Sequence, residues 1–109
     1  MTRKSPGTPN ELLVRRARSL PRVRVQNGLM RSGDREIALS MMYMEDVDRS
    51  FLFSLLPAAK VKRVREELAL QRRLKITYDQ YRTAIAALTE NIASDRGRGS
   101  MKSYIRPAR

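Results

Sequence analysis

The sequence predicts an all-α protein: a small bundle of about four short helices, carried between basic flexible tails. Three observations lead there. Tyr78, Tyr81, Ile85, Leu88 and Ile92 recur at spacings of 3, 4, 3 and 4, which keeps them on one face of a helix. Cap-forming residues and prolines interrupt the apolar runs at short intervals. The charge is also uneven: residues 1–33 hold 8 Lys/Arg and 1 acid, 94–109 hold 5 and 1, and 34–93 hold 10 and 9. The 109 residues, with net charge +12, therefore divide into a basic N-terminal extension (1–33), a helical domain (34–93) and a basic C-terminal tail (94–109).

The elements follow in chain order. "MTRKSPGTP" is Pro, Gly, Ser and Thr with charges, a composition that builds no core. Asn10 is a plausible N-cap for a short amphipathic helix over 11–20, with Leu13, Ala17 and Leu20 aligned. Pro21 ends it. "RVRV" at 22–25 alternates like a strand but has no evident partner. "QNGLMRSGD" carries an Asn-Gly turn signal and reads as a linker. From there the pattern is helical throughout. Asp34 caps a helix with Ile37, Met41 and Met44 on one face. Asp46 caps a second, in which Val47, Phe51 and Leu55 form an apolar side. Pro57 fits the first turn of a third, where its missing N–H costs nothing. Val61, Val64 and Leu68 share one face of that helix, Leu70 and Leu74 extend the apolar surface, and Lys60, Lys62, Arg63 and Arg65 are expected to face water. Thr77 is a good N-cap for the fourth helix, which "SDRGRGS" stops.

Composition excludes much chemistry. There is no cysteine and no histidine, so disulfides, zinc fingers and thiol or imidazole catalysis are ruled out. Neither a GxGxxG nor a GK[ST] phosphate loop is present. The paired carboxylates Glu45/Asp46/Asp48 and Glu66/Glu67 suit helix first turns and surface i,i+4 pairing better than acid–base catalysis. We therefore expect a protein that is not an enzyme, with no cofactor and no metal. No run reaches the roughly 18 apolar residues of a membrane span, and the N-terminus lacks a secretory apolar stretch.

Two binding readings remain. The "MMYM" cluster and the crowd of Phe51, Leu52, Phe53, Leu55 and Leu56 offer more apolar side chains than a small bundle easily hides. On this reading Met41, Met44, Phe51, Leu55, Val64 and Leu68 line the bundle, or a groove for a partner helix. The rival reading takes the N-terminal arginines, Arg15, Arg16, Arg18, Arg22 and Arg24, as a basic surface for RNA or DNA. The same charge suits anionic lipid or an acidic protein face. Tyr104 is the single aromatic of the two tails, so they provide no stacking platform.

Residues 34–93 resemble the N-terminal helical segment of the flagellar motor switch protein FliG family. The matching pieces are Ala38-Leu39, Phe51 to Leu56, Val61, Val64, "EELA" at 66–69, Ile76-Thr77 and the helix to Ile92. They span about 60 of the 109 residues. The sequence departs from the family at Pro57-Ala58-Ala59-Lys60, where members carry Ser/Thr-x-Glu-Glu. The resemblance covers only the family's first domain, so it implies docking and not torque. It implies armadillo-like helical pairs, and packing against a C-terminal helical segment of the basal body's membrane-ring protein. Self-association with neighbours in a ring, and a cytoplasmic location at the face of the inner membrane, follow from the same resemblance.

Overall fold

Thr8 opens the described part of the chain, residues 8–94 of a computed structural model. Its side chain accepts from the Glu11 N–H at 3.3 Å, and Glu11 accepts from the Thr8 N–H at 3.0 Å. This reciprocal box, with proline as the first helical residue, starts α1 (Pro9–Ser19). The cap is thus Thr8 and not Asn10, which is buried and donates its N–H to the Tyr81 hydroxyl at 3.1 Å. α1 stops at Leu20, in extended conformation before Pro21, as the restriction on pre-proline residues requires.

The strand and linker expected over 22–33 are replaced by α2 (Arg22–Arg31). A four-residue alternation without a partner strand has no ladder to join. The helix instead buries Val25, Gly28 and Leu29 together, at the i, i+3 and i+4 positions of one face. Gly28 makes no turn there. A Cβ at this position would lie 2.7 Å from the Asn91 carbonyl oxygen and 2.7 Å from Ile92 Cα, so the missing side chain lets two helix backbones touch.

α3 (Asp34–Met41) starts after Gly33, with Asp34 as its first residue and not its cap. Every residue from Ile37 to Met41 is buried, the signature of a helix enclosed on all sides. α4 (Asp46–Phe53) likewise has Glu45, not Asp46, in the cap position. It buries Leu52 and Phe53, while Val47 is exposed and Phe51 half-buried. Pro57 precedes α5 (Ala58–Leu74) as its N-cap. Lys75 ends that helix in the left-handed region, at φ 56°. Thr77 caps α6 (Tyr78–Ala93) as expected, in a second reciprocal box with Gln80. The 3-4 stripe of α6 is buried at Tyr81, Ile85, Leu88 and Ile92, whereas Tyr78 lies outside it.

Among the described residues the protein is therefore all-α, with six helices in place of about four. α6 packs against α1, α2 and α3, and α3 lies between α5 and α6. One apolar core runs through all six, from Leu13 and Val14 to Leu88 and Ile92. The helical body thus includes α1 and α2, which the charge pattern assigns to a basic extension. Six of the eight Lys/Arg in residues 1–33 lie on these two helices. The C-terminal tail beyond Ser94 falls outside the described residues, as do residues 1–7. No described helix is long and apolar enough to cross a membrane.

Candidate functional site: a groove between the first and last helices

α1 and α6 lie side by side and run the same way. Asn10 meets Tyr81 near their starts, and Ser19 and Ala93 line a common groove near their ends. α6 turns its large apolar residues inward. The adjoining stripe, Arg82, Ala86, Thr89 and Ala93, repeats at 4, 3 and 4 and is small after Arg82. Leu12 of α1 stands beside it, 43 % exposed. The result is an open groove of about 860 Å³ with an apolar floor of Leu12, Leu13, Ile85 and Ala86.

The rim is basic. Arg15, Arg16 and Arg82 line it, against a single acid, Glu90. Among the described residues none of these three arginine side chains has a hydrogen-bond or ion-pair partner. Elsewhere most basic side chains have a partner. Arg18 reaches Asp48 at 3.6 Å and stacks over Phe51. Arg22 donates to the Ser54 carbonyl and Arg31 to the Asn91 carbonyl. Arg24 is half-buried on α2. The five N-terminal arginines therefore do not form one surface: Arg15 and Arg16 face the groove, and Arg18 and Arg22 join α1 and α2 to α4.

The apolar residues expected to receive a partner lie elsewhere. Met41, Met44, Leu55, Val64 and Leu68 are buried in the core, with Phe51 packed at its edge. They line the bundle, and none of the six lines the α1–α6 groove. Most of the apolar surplus seen in residues 34–93 joins the side chains of α1 and α2 in one core. A sequence signal for the groove did exist in the small residues Ala86, Thr89 and Ala93 beside the buried stripe of α6.

A second polar centre lies beneath the surface. Lys60, expected in water, is 6 % exposed. Its Nζ lies 2.8 Å from Asp34 Oδ1 and donates to the Ser32 carbonyl at 2.8 Å. Arg63 Nε reaches the other Asp34 oxygen at 3.1 Å. The Lys60 hydrogen bond holds the Asp34 carboxyl below the usual carboxylate range; burial opposes this, and Arg63 adds to it. Asn91 donates to the Ser32 hydroxyl, so the cluster ties the α2–α3 turn to both α5 and α6. Every member has a partner within the protein, which makes it a structural joint. The other charges of the "KVKRVR" stretch are exposed as expected, with Lys62 paired to Glu66 at 3.1 Å. Among the described residues no three acidic side chains converge as a metal site.

Fold and groove together define a helical scaffold with a basic-rimmed apolar channel on one face. The chain matches no family model, no curated protein and no solved structure.

Proposed function

We propose that this protein is a non-enzymatic interaction module whose α1–α6 groove receives an acidic amphipathic helix of a partner protein. One observation carries the reading: an apolar floor rimmed by three arginines that have no partner of their own. A bare arginine on an apolar edge is poised for carboxylates, since its fixed donors suit bidentate pairing. A helix laid into the groove supplies apolar anchors at i, i+3, i+4 and i+7 for the floor and carboxylates for the rim. Steering by the +12 charge of the chain assists encounter.

The resemblance of residues 34–93 to the FliG segment supports a choice of first partner: the C-terminal helical segment of a flagellar membrane-ring protein. That role places the chain in the cytoplasm, against the inner membrane, with armadillo-like pairing among α3 to α6. The test is fluorescence anisotropy with labelled acidic helical peptides, that segment among them. Binding should weaken about tenfold or more in Arg15→Glu/Arg16→Glu, where repulsion replaces attraction, and likewise in Leu12→Asp. Peptide binding unchanged in both variants refutes the groove.

The same three arginines also support nucleic-acid binding, the alternative reading. No tyrosine or phenylalanine lines the groove, so base stacking has no platform there. Titration with random duplex and single-stranded RNA at low salt separates the two, because phosphate-driven affinity is strongest there.

A further inference from the structure

Three of the four tyrosines of the chain meet at the beginning of α6. Tyr81 forms the floor: it is 2 % exposed, and its hydroxyl is held by the Asn10 N–H. Tyr43 meets the floor ring edge-on, with centroids 4.8 Å apart and planes at 82°. Tyr78 meets it at 5.7 Å and 46°. The two outer rings are themselves 56 % and 58 % exposed. A cleft of about 300 Å³ opens among the three rings, and Glu11, Glu45 and Asp48 also line it.

The carboxylates matter because they stand on a chain of net charge +12. Glu11 already accepts the Thr8 N–H, and Asp48 is approached by Arg18 at 3.6 Å. Glu45 caps α4 by position only, without a side-chain cap bond, and its carboxylate has no partner among the described residues. Electron-rich ring faces beside an uncommitted carboxylate attract one kind of ligand, a cation carried on an apolar stem. An acidic helix is repelled here, so this cleft is independent of the α1–α6 groove.

We propose that the Tyr43–Tyr78–Tyr81 cleft is a binding site for a cationic side chain, lysine or arginine, presented by a basic segment of a partner protein. The ammonium or guanidinium sits between the Tyr43 and Tyr78 rings over Tyr81, with Glu45 as its counter-ion. The stem lies along the apolar ring edges.

The test follows the ring signals of Tyr43 and Tyr78 by NMR, in full-length protein, during titration with acetyl-Gly-Lys-Gly-amide. The norleucine tripeptide serves as a control with the same stem and no charge. Saturable shifts are expected with the lysine peptide, and binding about tenfold weaker or undetectable with norleucine. Tyr43→Ala removes an exposed ring that packs on Tyr81, and Glu45→Gln alters an exposed side chain with no cap bond and no core packing. Each should weaken the lysine peptide about threefold to tenfold. Equal shifts from both peptides, or none from lysine, overturn the site. Arg3→Gln/Lys4→Gln in the full chain tests the source of the cation. Unchanged affinity supports a partner, and affinity raised about tenfold shows that the chain's own N-terminal cations compete for the cleft and overturns that assignment.

Discussion

Two joints hold this bundle together by opposite means. Where α2 crosses α6, Gly28 provides no side chain at all, and the Asn91–Ile92 backbone fills the vacated space. Where the α2–α3 turn meets α5, Lys60 brings a full charge into the interior and is met by Asp34 and the Ser32 carbonyl. The first joint tolerates nothing added, because its neighbours are backbone atoms that cannot turn aside. The second does not tolerate loss of its carboxylate alone, because the buried ammonium then keeps its full desolvation cost. Ser32 and Asn91 connect the two, so α2, α5 and α6 are positioned by one small region.

The largest expected effect breaks the first joint. Gly28→Ala places a methyl within 2.7 Å of two backbone atoms. Overpacking of this kind costs roughly 1–3 kcal/mol, and contact with backbone puts it at the upper end. The gain of alanine over glycine in a helix, about 0.5–1 kcal/mol, offsets only part. Chemical denaturation should show a net loss of about 2–2.5 kcal/mol. A variant as stable as the parent would mean that α2 and α6 stand farther apart.

Both joints are informative about reading the sequence, because in each the residue type pointed away from the position. Glycine after asparagine signals a turn, and lysine among arginines signals a wet surface. The periodicity was the better guide: Val25, Gly28 and Leu29 share one face of α2, and Lys60, Val64, Leu68 and Gln71 share one face of α5. The all-α class, the Thr77 cap and the α6 stripe were legible because local pattern and tertiary burial agree there. The burial of Met41 and Val64 in the core was not, since it depends on how the helices pack together. Of the groove, the sequence offered Arg15 and Arg16 as basic surface. Their separation from Arg18 and Arg22 needed the helix packing.

An intermediate effect breaks the second joint. Asp34→Ala leaves Lys60 in the interior with only the Ser32 carbonyl. Losing one partner of a buried pair costs about 3–5 kcal/mol. Asp34 keeps 30 % of its side chain in water, so we expect about 2 kcal/mol after screening. The pH dependence gives a second readout. The native Asp34 carboxyl titrates below its unfolded value, so the unfolded chain binds its proton first as pH falls. The stabilisation is complete above the unfolded value of about 4 and is lost as pH drops through the lower native one. Parent and Asp34→Ala should therefore converge in stability toward strongly acid pH. A gap of constant size would show that Asp34 acts through packing and not through its charge.

The smallest effect sharpens the comparison. Lys60→Met keeps a long unbranched side chain in the same space and removes the buried ammonium. The Lys60–Asp34 attraction is lost, but so is the desolvation cost of the ammonium, and Asp34 retains Arg63 at 3.1 Å. Loss of one partner is costly where the other stays buried and unpaired, but Asp34 keeps 30 % of its side chain in water and its contact with Arg63, which reduces that cost. Here the Ser32 carbonyl loses its donor, a penalty of about 1–3 kcal/mol where no water reaches it. The two should nearly cancel, leaving stability within about 1 kcal/mol of the parent. If denaturation instead shows a loss as large as that of Asp34→Ala, the lysine is required for the turn itself. The charged joint would then be as intolerant of exchange as the glycine joint is of addition.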